Sequence, residues 1–195
     1  MRHPFNIKML HKALENMNSN TSFQEKRAVI CMTLLFITGC RINELRNFNY
    51  KMIMDLYKYG TVYILGYKTK TTRRVDISDY QKLEFEKVLP LIRDFYDKVP
   101  KKSHVLSKTN GKDMSNKGAI KWMNKHLNNF NSDGELNIKS HSFRINYVTS
   151  IMKKYPVNIA QTIIGHKRVD TTMRYDRNIL TSDAVKEILN NTKTI

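Results

Sequence analysis

Residues 28–40 form the longest apolar stretch of this 195-residue chain, and they limit its possible folds more than any other feature. A helix that crosses a bilayer needs about 20 apolar residues. This stretch is shorter and contains threonines, so it predicts a helix buried in a protein core, ending near Gly39. Both cysteines, Cys31 and Cys40, lie in the stretch. We expect them to be buried free thiols of a protein in a reducing compartment.

Most of the remaining chain shows helical periodicity. Helices are predicted over 5–17, 23–38, 41–48, 79–89, 91–97, 116–130, 141–154, 157–164, 170–177 and 182–191. The segments 61–66 and 73–77 have β-strand composition, and the polar residues between them predict a hairpin. A short strand over 53–56 is an additional option. The predicted fold class is therefore α+β and mostly α, a helical bundle with one small antiparallel sheet in a single domain.

The chain is strongly basic. It has 34 Lys and Arg residues against 17 Asp and Glu residues, and 34 − 17 gives a net charge of +17. An excess of this size indicates binding to a polyanion, most often nucleic acid. The alternative interpretation is a solvated basic surface, such as that of a ribosome-associated protein.

A group of chemically capable side chains lies near the C-terminal end of the chain. His141 and Arg144 are three positions apart, so on a helix they would share a face, which we expect to point outward. Further along are His166 and, nine residues later, Tyr175. Each of these, like Arg41 upstream, is by itself more typical of an ordinary surface residue. Together they supply the cations, the hydroxyl nucleophile and the proton carriers that metal-free transfer of a phosphodiester requires.

These segments resemble the tyrosine recombinase (phage integrase) family. Residues 38–45, Thr-Gly-Cys-Arg-Ile-Asn-Glu-Leu, are similar to the segment TG-x-R-x-x-EL that carries the family's first catalytic arginine. Residues 141–144, His-Ser-Phe-Arg, resemble the start of the family's H-x-L-R-H-T-F-A-T box, with Ile145 where the family often has a second histidine. Residues 163–175 resemble its L-L-G-H…T-T…Y segment. The resemblance extends from about residue 7 to the end of the chain.

The resemblance implies a metal-free cleavage and rejoining of DNA. Tyr175 would be the nucleophile that attacks a phosphodiester and forms a 3′-phosphotyrosine bond. Arg41 and Arg144 would hold the non-bridging oxygens, because a guanidinium pairs with phosphate through two parallel hydrogen bonds and stays charged. Glu44 would support Arg41.

The resemblance assigns proton transfer to two histidines and a hairpin lysine. His141 would accept the tyrosine proton or tune the phosphate clamp, and His166 would hydrogen-bond a non-bridging oxygen. The family's catalytic lysine lies seven residues before a valine at a strand end. Val75 matches that valine, which selects Lys68 as the residue that protonates the leaving oxygen. Lys70 is the alternative, and it would lie on the same side as Lys68 if the segment is extended.

The resemblance also implies an organisation and a set of partners. Residues 1–195 would be a catalytic domain without the family's N-terminal DNA-clamping domain, either as in the compact fimbrial-switch recombinases or through truncation of the reading frame. The partner would be double-stranded DNA, bound by a homotetramer on synapsed DNA. No metal, cofactor, membrane or small-molecule substrate is expected. The amphipathic tail over 181–195 would dock on a neighbouring protomer or pack against its own domain.

Two other functions share these sequence features. One is a DNA-binding remnant of an integrase that has lost strand exchange. The other is a type IB topoisomerase, which would use the same chemistry to relax DNA. The Asn-, Lys- and Ile-rich composition suggests a mobile element or an organelle, and we expect the protein in the cytoplasm or nucleoid of a bacterium or phage host, or in an organelle.

Overall fold

The computed structural model describes residues 3–66, 70–108, 112–131 and 137–175. Within these ranges the chain forms helices and one two-stranded antiparallel sheet, which confirms the predicted α+β, mostly α fold. The elements are α1 (Ile7–Glu15), α2 (Phe23–Thr38), α3 (Ile42–Leu45), α4 (Tyr50–Tyr59), β1 (Thr61–Leu65), β2 (Thr72–Asp76), α5 (Asp79–Glu86), α6 (Leu89–Lys98), α7 (Asn116–Phe130), α8 (Ser142–Met152), α9 (Val157–Ile164) and α10 (Val169–Met173). The predicted helix over 182–191 and the tail over 181–195 lie outside the described residues.

Helix α2 is the centre of the core, as its apolar sequence predicts. Ser22 starts it with a capping box, in which its side chain accepts from the Glu25 backbone and the Glu25 side chain accepts from the Ser22 backbone. Residues 27–38 are buried except Phe36, and α1, α5, α6, α7 and α8 pack around them. No helix in the described ranges is long and apolar enough to cross a membrane.

Cys31 and Cys40 are both buried and free, as predicted. Burial raises the pKa of each thiol to about 12. Neither therefore forms a reactive thiolate at neutral pH, and both act as small apolar side chains of the core.

Gly39 ends α2 and determines how closely α8 can approach it. Its φ of +56° lies in the left-handed region that favours glycine. A Cβ atom at this position would overlap the ring of Tyr147 on α8. The Gly39 carbonyl oxygen accepts a 2.8 Å hydrogen bond from Arg144 on the same helix. The glycine thus allows direct contact between the end of α2 and the helix that carries Arg144.

Gly39→Ala is expected to lower the free energy of unfolding by about 2–5 kcal/mol. The left-handed backbone costs a residue with a Cβ atom about 1–2 kcal/mol, and overpacking against Tyr147 adds about 1–3 kcal/mol. Gly60→Ala is the matched control, since Gly60 has a φ of +68° and no heavy atom within 4 Å of its Cβ position. Urea unfolding measures both variants. Equal losses would contradict the close contact between Gly39 and Tyr147.

The predicted hairpin is present, formed by β1 and β2. Val62 pairs with Val75, and Ile64 pairs with Arg73. Alternation along the strands turns these four side chains toward the core and the next residue, Arg74, toward solvent. An arginine side chain therefore lies on the inner face of the sheet.

The predicted short strand over 53–56 is wrong, because these residues lie in α4. Ile53 and Leu56 are three positions apart and both fully buried, which is a helical repeat. The Asn49 side chain caps the start of the helix by accepting from the backbone of Met52, and Gly60 ends it in a left-handed conformation. Residues 53–56 by themselves did not distinguish a helix from a strand.

A second, smaller apolar cluster supports the C-terminal segment. Val148, Ala160 and Ile164 are buried together, and the ring of Tyr175 packs against them. Helix α9 ends at Gly165, whose φ of +70° turns the chain toward α10. This cluster holds the end of α9 and the tyrosine against α8.

Candidate active site

Arg41 starts α3 and is fixed by the carboxylate of Glu44. The Arg41 backbone N–H donates to Glu44 Oε2 at 2.9 Å, and its guanidinium donates to Glu44 Oε1 at 3.0 Å. The Glu44 side chain is 1% exposed, whereas that of Arg41 is 35% exposed. Burial alone would raise the pKa of Glu44, but the hydrogen bond from Arg41 and the nearby guanidinium groups outweigh it and lower that pKa. Glu44 is therefore an anion whose contacts hold Arg41, as the resemblance implied.

Arg144 joins the C-terminal ends of two helices. One terminal nitrogen donates to the Gly39 carbonyl oxygen at 2.8 Å, after α2. The other donates to the Ile164 carbonyl oxygen at 3.4 Å, at the end of α9, and to Nε2 of His166 at 3.0 Å. Carbonyl groups at helix C-termini lack partners within the helix and carry partial negative charge, which favours a cation there.

The expectation that His141 and Arg144 point outward together is wrong for Arg144, which is 1% exposed. Its acceptors on α2 and α9 replace the water that an exposed guanidinium would bind. Burial and the charge of Arg41 lower the pKa of Arg144 to about 10. The guanidinium is still protonated at neutral pH, and it is held rigidly. His141 is at the N-cap position of α8 and is only partly buried.

His166 is buried, neutral and oriented by two contacts. A guanidinium can only donate, so Nε2 of His166 accepts from Arg144. The proton of the neutral ring must then be on Nδ1, which donates to Oγ1 of Thr172 at 2.9 Å. Burial first, then the charges of Arg144 and Arg41, lower the pKa of His166 to about 4. In this arrangement the imidazole orients Arg144. The hydrogen bond from His166 to a non-bridging oxygen stays a prediction, since it requires a proton on Nε2.

Tyr175 lies between the two histidines. Its hydroxyl oxygen is 3.3 Å from Nε2 of His141. Its ring centroid is 5.8 Å from that of His141 and 5.7 Å from that of His166, with the His166 ring inclined by 25°. Helix α10 supports this position through the backbone bond from Tyr175 N–H to the Thr172 carbonyl oxygen. The fold thus brings the phenol to a basic nitrogen that can accept its proton.

A polar groove of about 230 Å³ lies beside these groups, lined in part by Arg41, His141 and Arg144. Sequence reasoning missed two other lining residues, Lys139 and Asn124. Asn124 on α7 accepts a 2.8 Å hydrogen bond from the backbone N–H of the residue before His141, so it helps to fix the start of α8. No sequence pattern marked it, because this contact between α7 and the segment before α8 depends on tertiary packing.

Arg73 was also missed, although the strand alternation around Val75 could have shown that it points inward. Its guanidinium lies 3.4 Å from Glu44 Oε2. Three guanidinium groups, those of Arg41, Arg73 and Arg144, therefore act on one buried carboxylate. Their formal charges sum to 3 − 1 = +2, so this part of the site attracts an anion and can stabilise one that gains negative charge during a reaction.

Of the two candidate lysines, Lys68 lies outside the described residues. Lys70 is exposed, its φ is +54°, and its backbone N–H donates to the Gly66 carbonyl oxygen at 2.9 Å. The chain is not extended at Lys70, so the condition under which the two lysines would share a side is not met there. The choice of Lys68 stays a prediction.

The sequence profile of the phage integrase family matches residues 4–194. The chain belongs to this family. A tyrosine recombinase of Agathobacter rectalis is 27% identical over 161 residues, which cover 80% of this chain and 50% of that protein. The chain therefore spans half the length of this relative.

Solved structures of similar fold are also recombinases and integrases. XerA recombinase matches with a TM-score of 0.64 at 18% identity, over 100% of this chain and 66% of that one. The Tn1549 transposon integrase, in complex with transposon right end DNA, gives 0.68 at 13% identity over 99% and 66%. XerH recombinase, bound to a palindromic difH substrate, gives 0.62 at 18% identity over 98% and 53%. These likenesses confirm the predicted tyrosine recombinase catalytic-domain fold.

Proposed function

We propose that this chain is a site-specific DNA recombinase that cleaves and rejoins double-stranded DNA through a 3′-phosphotyrosine intermediate. The observation that carries the proposal is the position of the Tyr175 hydroxyl, 3.3 Å from Nε2 of His141, where His141 and Arg144 both line a polar groove. This arrangement supports roles for Tyr175 as nucleophile, His141 as base and Arg144 as part of an anion clamp.

In the cleavage step, the phenolic oxygen of Tyr175 attacks the phosphorus in line. Its proton passes to Nε2 of His141 as the new P–O bond forms. The bond between phosphorus and the 5′ oxygen breaks, and Lys68 protonates that oxygen as it leaves. The 5′-hydroxyl of a partner strand reverses the sequence, so the energy of the phosphodiester is retained. These groups need no metal, nucleotide or other cofactor.

The arginines stabilise the charge that develops on the pentacoordinate phosphorus. Arg41 is partly exposed and can meet a non-bridging oxygen directly. Arg144 lines the groove, and its contacts to Gly39, Ile164 and His166 use three of its four terminal N–H groups. The net charge of +2 around Glu44 suits a phosphodiester, whose single negative charge becomes two in the transition state. A preorganised donor of this kind contributes about 10²–10³ in rate.

Double-stranded DNA is the proposed substrate, and a homotetramer on two synapsed duplexes is the proposed assembly. The DNA-bound Tn1549 integrase and XerH structures support the substrate, as does the net charge of +17. The tail over 181–195 would connect protomers, with packing against its own domain as the alternative. A DNA substrate also supports a location beside the genome, in a nucleoid or an organelle.

The direct test is covalent trapping on a duplex with a nick close to the cleavage site. Cleavage then releases a short 5′-hydroxyl fragment that diffuses away, and the protein stays bound to the 3′ phosphate. An adduct together with exchange between two duplexes supports the proposal. An adduct with supercoil relaxation but no recombinant product would indicate a topoisomerase, and no adduct on any duplex would indicate a DNA-binding remnant.

DNA affinity is expected to fall steeply with salt, because each neutralised phosphate releases condensed counterions. If about 6–10 phosphates are contacted, the affinity should fall about 10³–10⁵-fold between roughly 50 and 200 mM salt. A fluorescence titration on a target duplex and on a scrambled duplex measures the slope. A flat response on both duplexes would contradict binding through phosphate contacts.

Lys68→Ala is expected to slow cleavage of normal DNA by about 10²–10⁴-fold, the usual contribution of a general acid. A substrate with a 5′-bridging phosphorothiolate should recover most of this loss, since sulfur leaves without a proton. Lys70→Ala is the matched control in the same hairpin and should show no such rescue. Rescue of the Lys70 variant and not of the Lys68 variant would assign protonation of the leaving oxygen to Lys70.

A further inference from the structure

Arg73 is a cation placed where a strand would ordinarily present an apolar side chain. It pairs with Ile64 across the sheet and is followed by the outward Arg74. The Arg73 side chain is 12% exposed, whereas that of Arg74 is 61% exposed and bound to Asp76. Burying a cation costs several kcal/mol unless specific contacts compensate it. The position of Arg73 therefore depends on what its guanidinium contacts.

The guanidinium of Arg73 contacts the carboxylate that holds Arg41. One terminal nitrogen lies 3.4 Å from Glu44 Oε2, while Glu44 Oε1 accepts from Arg41 at 3.0 Å. The two arginines thus act on opposite oxygens of one carboxylate. A Cβ at Gly165 would lie 2.9 Å from Cδ of Arg73, so the arginine stem also packs on the residue before His166.

The other donors of Arg73 are poorly satisfied. Nε and the second terminal nitrogen are buried and find no hydrogen-bond partner among the residues that the structure describes. A side chain kept for stability alone would be expected to satisfy these donors or to be apolar. Its polar contact is instead directed at Glu44, whose other oxygen accepts from Arg41, a residue that lines the groove.

We propose that Arg73 is a positioning residue for the cleavage reaction, which fixes Oε2 of Glu44 so that Oε1 holds Arg41 against the phosphate. Without Arg73, Oε2 keeps the hydrogen bond from the Arg41 backbone N–H but loses its cationic partner, so the carboxylate is held less firmly against the Arg41 guanidinium. The inference rests on the proposed recombinase function, and it adds a residue outside the set that the sequence resemblance predicts, namely Arg41, Lys68, His141, Arg144, His166 and Tyr175.

The test is a double-mutant cycle on the rate of covalent trapping with the nicked duplex, at saturating protein. Arg73→Gln and Glu44→Gln should each slow trapping by about 10–100-fold, and the double variant should be within about threefold of the slower single variant, because residues that act through one contact are not additive. Arg74→Gln, the matched surface control, should stay within about twofold of the unaltered protein. Arg73→Gln should lose the same factor on the phosphorothiolate duplex, since the clamp is needed for either leaving group.

A double variant that loses the product of the two single losses would overturn the proposal, as would an Arg73→Gln variant that matches Arg74→Gln. Melting temperatures of the same proteins give a second cycle that does not depend on cleavage. If the unaltered protein forms no adduct, the proposed function fails, and the melting cycle alone decides whether Arg73 acts through Glu44. If Arg73→Gln does not fold, Arg73→Met, which keeps an apolar stem and removes the charged donors near Oε2, replaces it in both cycles with the same criteria.

Discussion

Tyr175→Phe is expected to abolish covalent trapping, with a loss of at least about 10⁴-fold, because the variant lacks the nucleophilic oxygen and leaves no substitute. The ring contacts with His141 and His166 would remain, so DNA affinity should change by no more than about twofold. Gel separation of protein–DNA adducts measures the first quantity, and fluorescence anisotropy measures the second.

Tyr155→Phe is the matched control for this experiment. Tyr155 is 50% exposed and lies just before α9. Loss of its hydroxyl should leave trapping unchanged. If the Tyr175 variant still forms adducts, another hydroxyl is the nucleophile, and if it loses DNA binding instead, Tyr175 holds the fold or the DNA and does not perform the chemistry.

Arg144→Lys is expected to slow trapping by about 10²–10³-fold, the loss typical of one preorganised donor. The planar guanidinium donates to the carbonyl oxygens of Gly39 and Ile164 and to Nε2 of His166. Lysine keeps the charge, but its single ammonium cannot reach all three acceptors. DNA affinity should fall little, because one buried cation is a small part of a net charge of +17. Single-turnover trapping, corrected for the folded fraction, gives the rate.

The matched control is Arg27→Lys, which changes a second buried arginine away from the groove. Arg27 is 2% exposed, donates to the Ser107 carbonyl oxygen and lies 4.4 Å from the ring centre of Trp122. This variant should lower the melting temperature and leave the trapping rate per folded molecule unchanged. If both lysine variants lose stability and keep that rate, Arg144 is a structural arginine and the proposed clamp is wrong.

The sequence was sufficient for the elements whose own residues determine them. The apolar run before Gly39 specified a buried helix, because a helix with apolar residues on every side has to be enclosed. The predicted helix starts at residues 23 and 79 are those observed, and in the structure the Ser22 and Ser78 side chains cap them. Ordered motifs around Arg41, Arg144 and Tyr175 identified the family, since their spacing is far more specific than any one of them.

The tertiary structure decided what depends on contacts between distant segments. Burial of Arg144 requires the carbonyl ends of α2 and α9, which lie on either side of it in the chain and meet only after folding. The acceptor state of His166 follows from that guanidinium. The role of Arg73 depends on Glu44, 29 residues away. Periodicity predicts which face of an element is apolar, but it contains no information on which polar groups will meet there, because hydrogen bonds depend on distances that the packing of helices and strands determines.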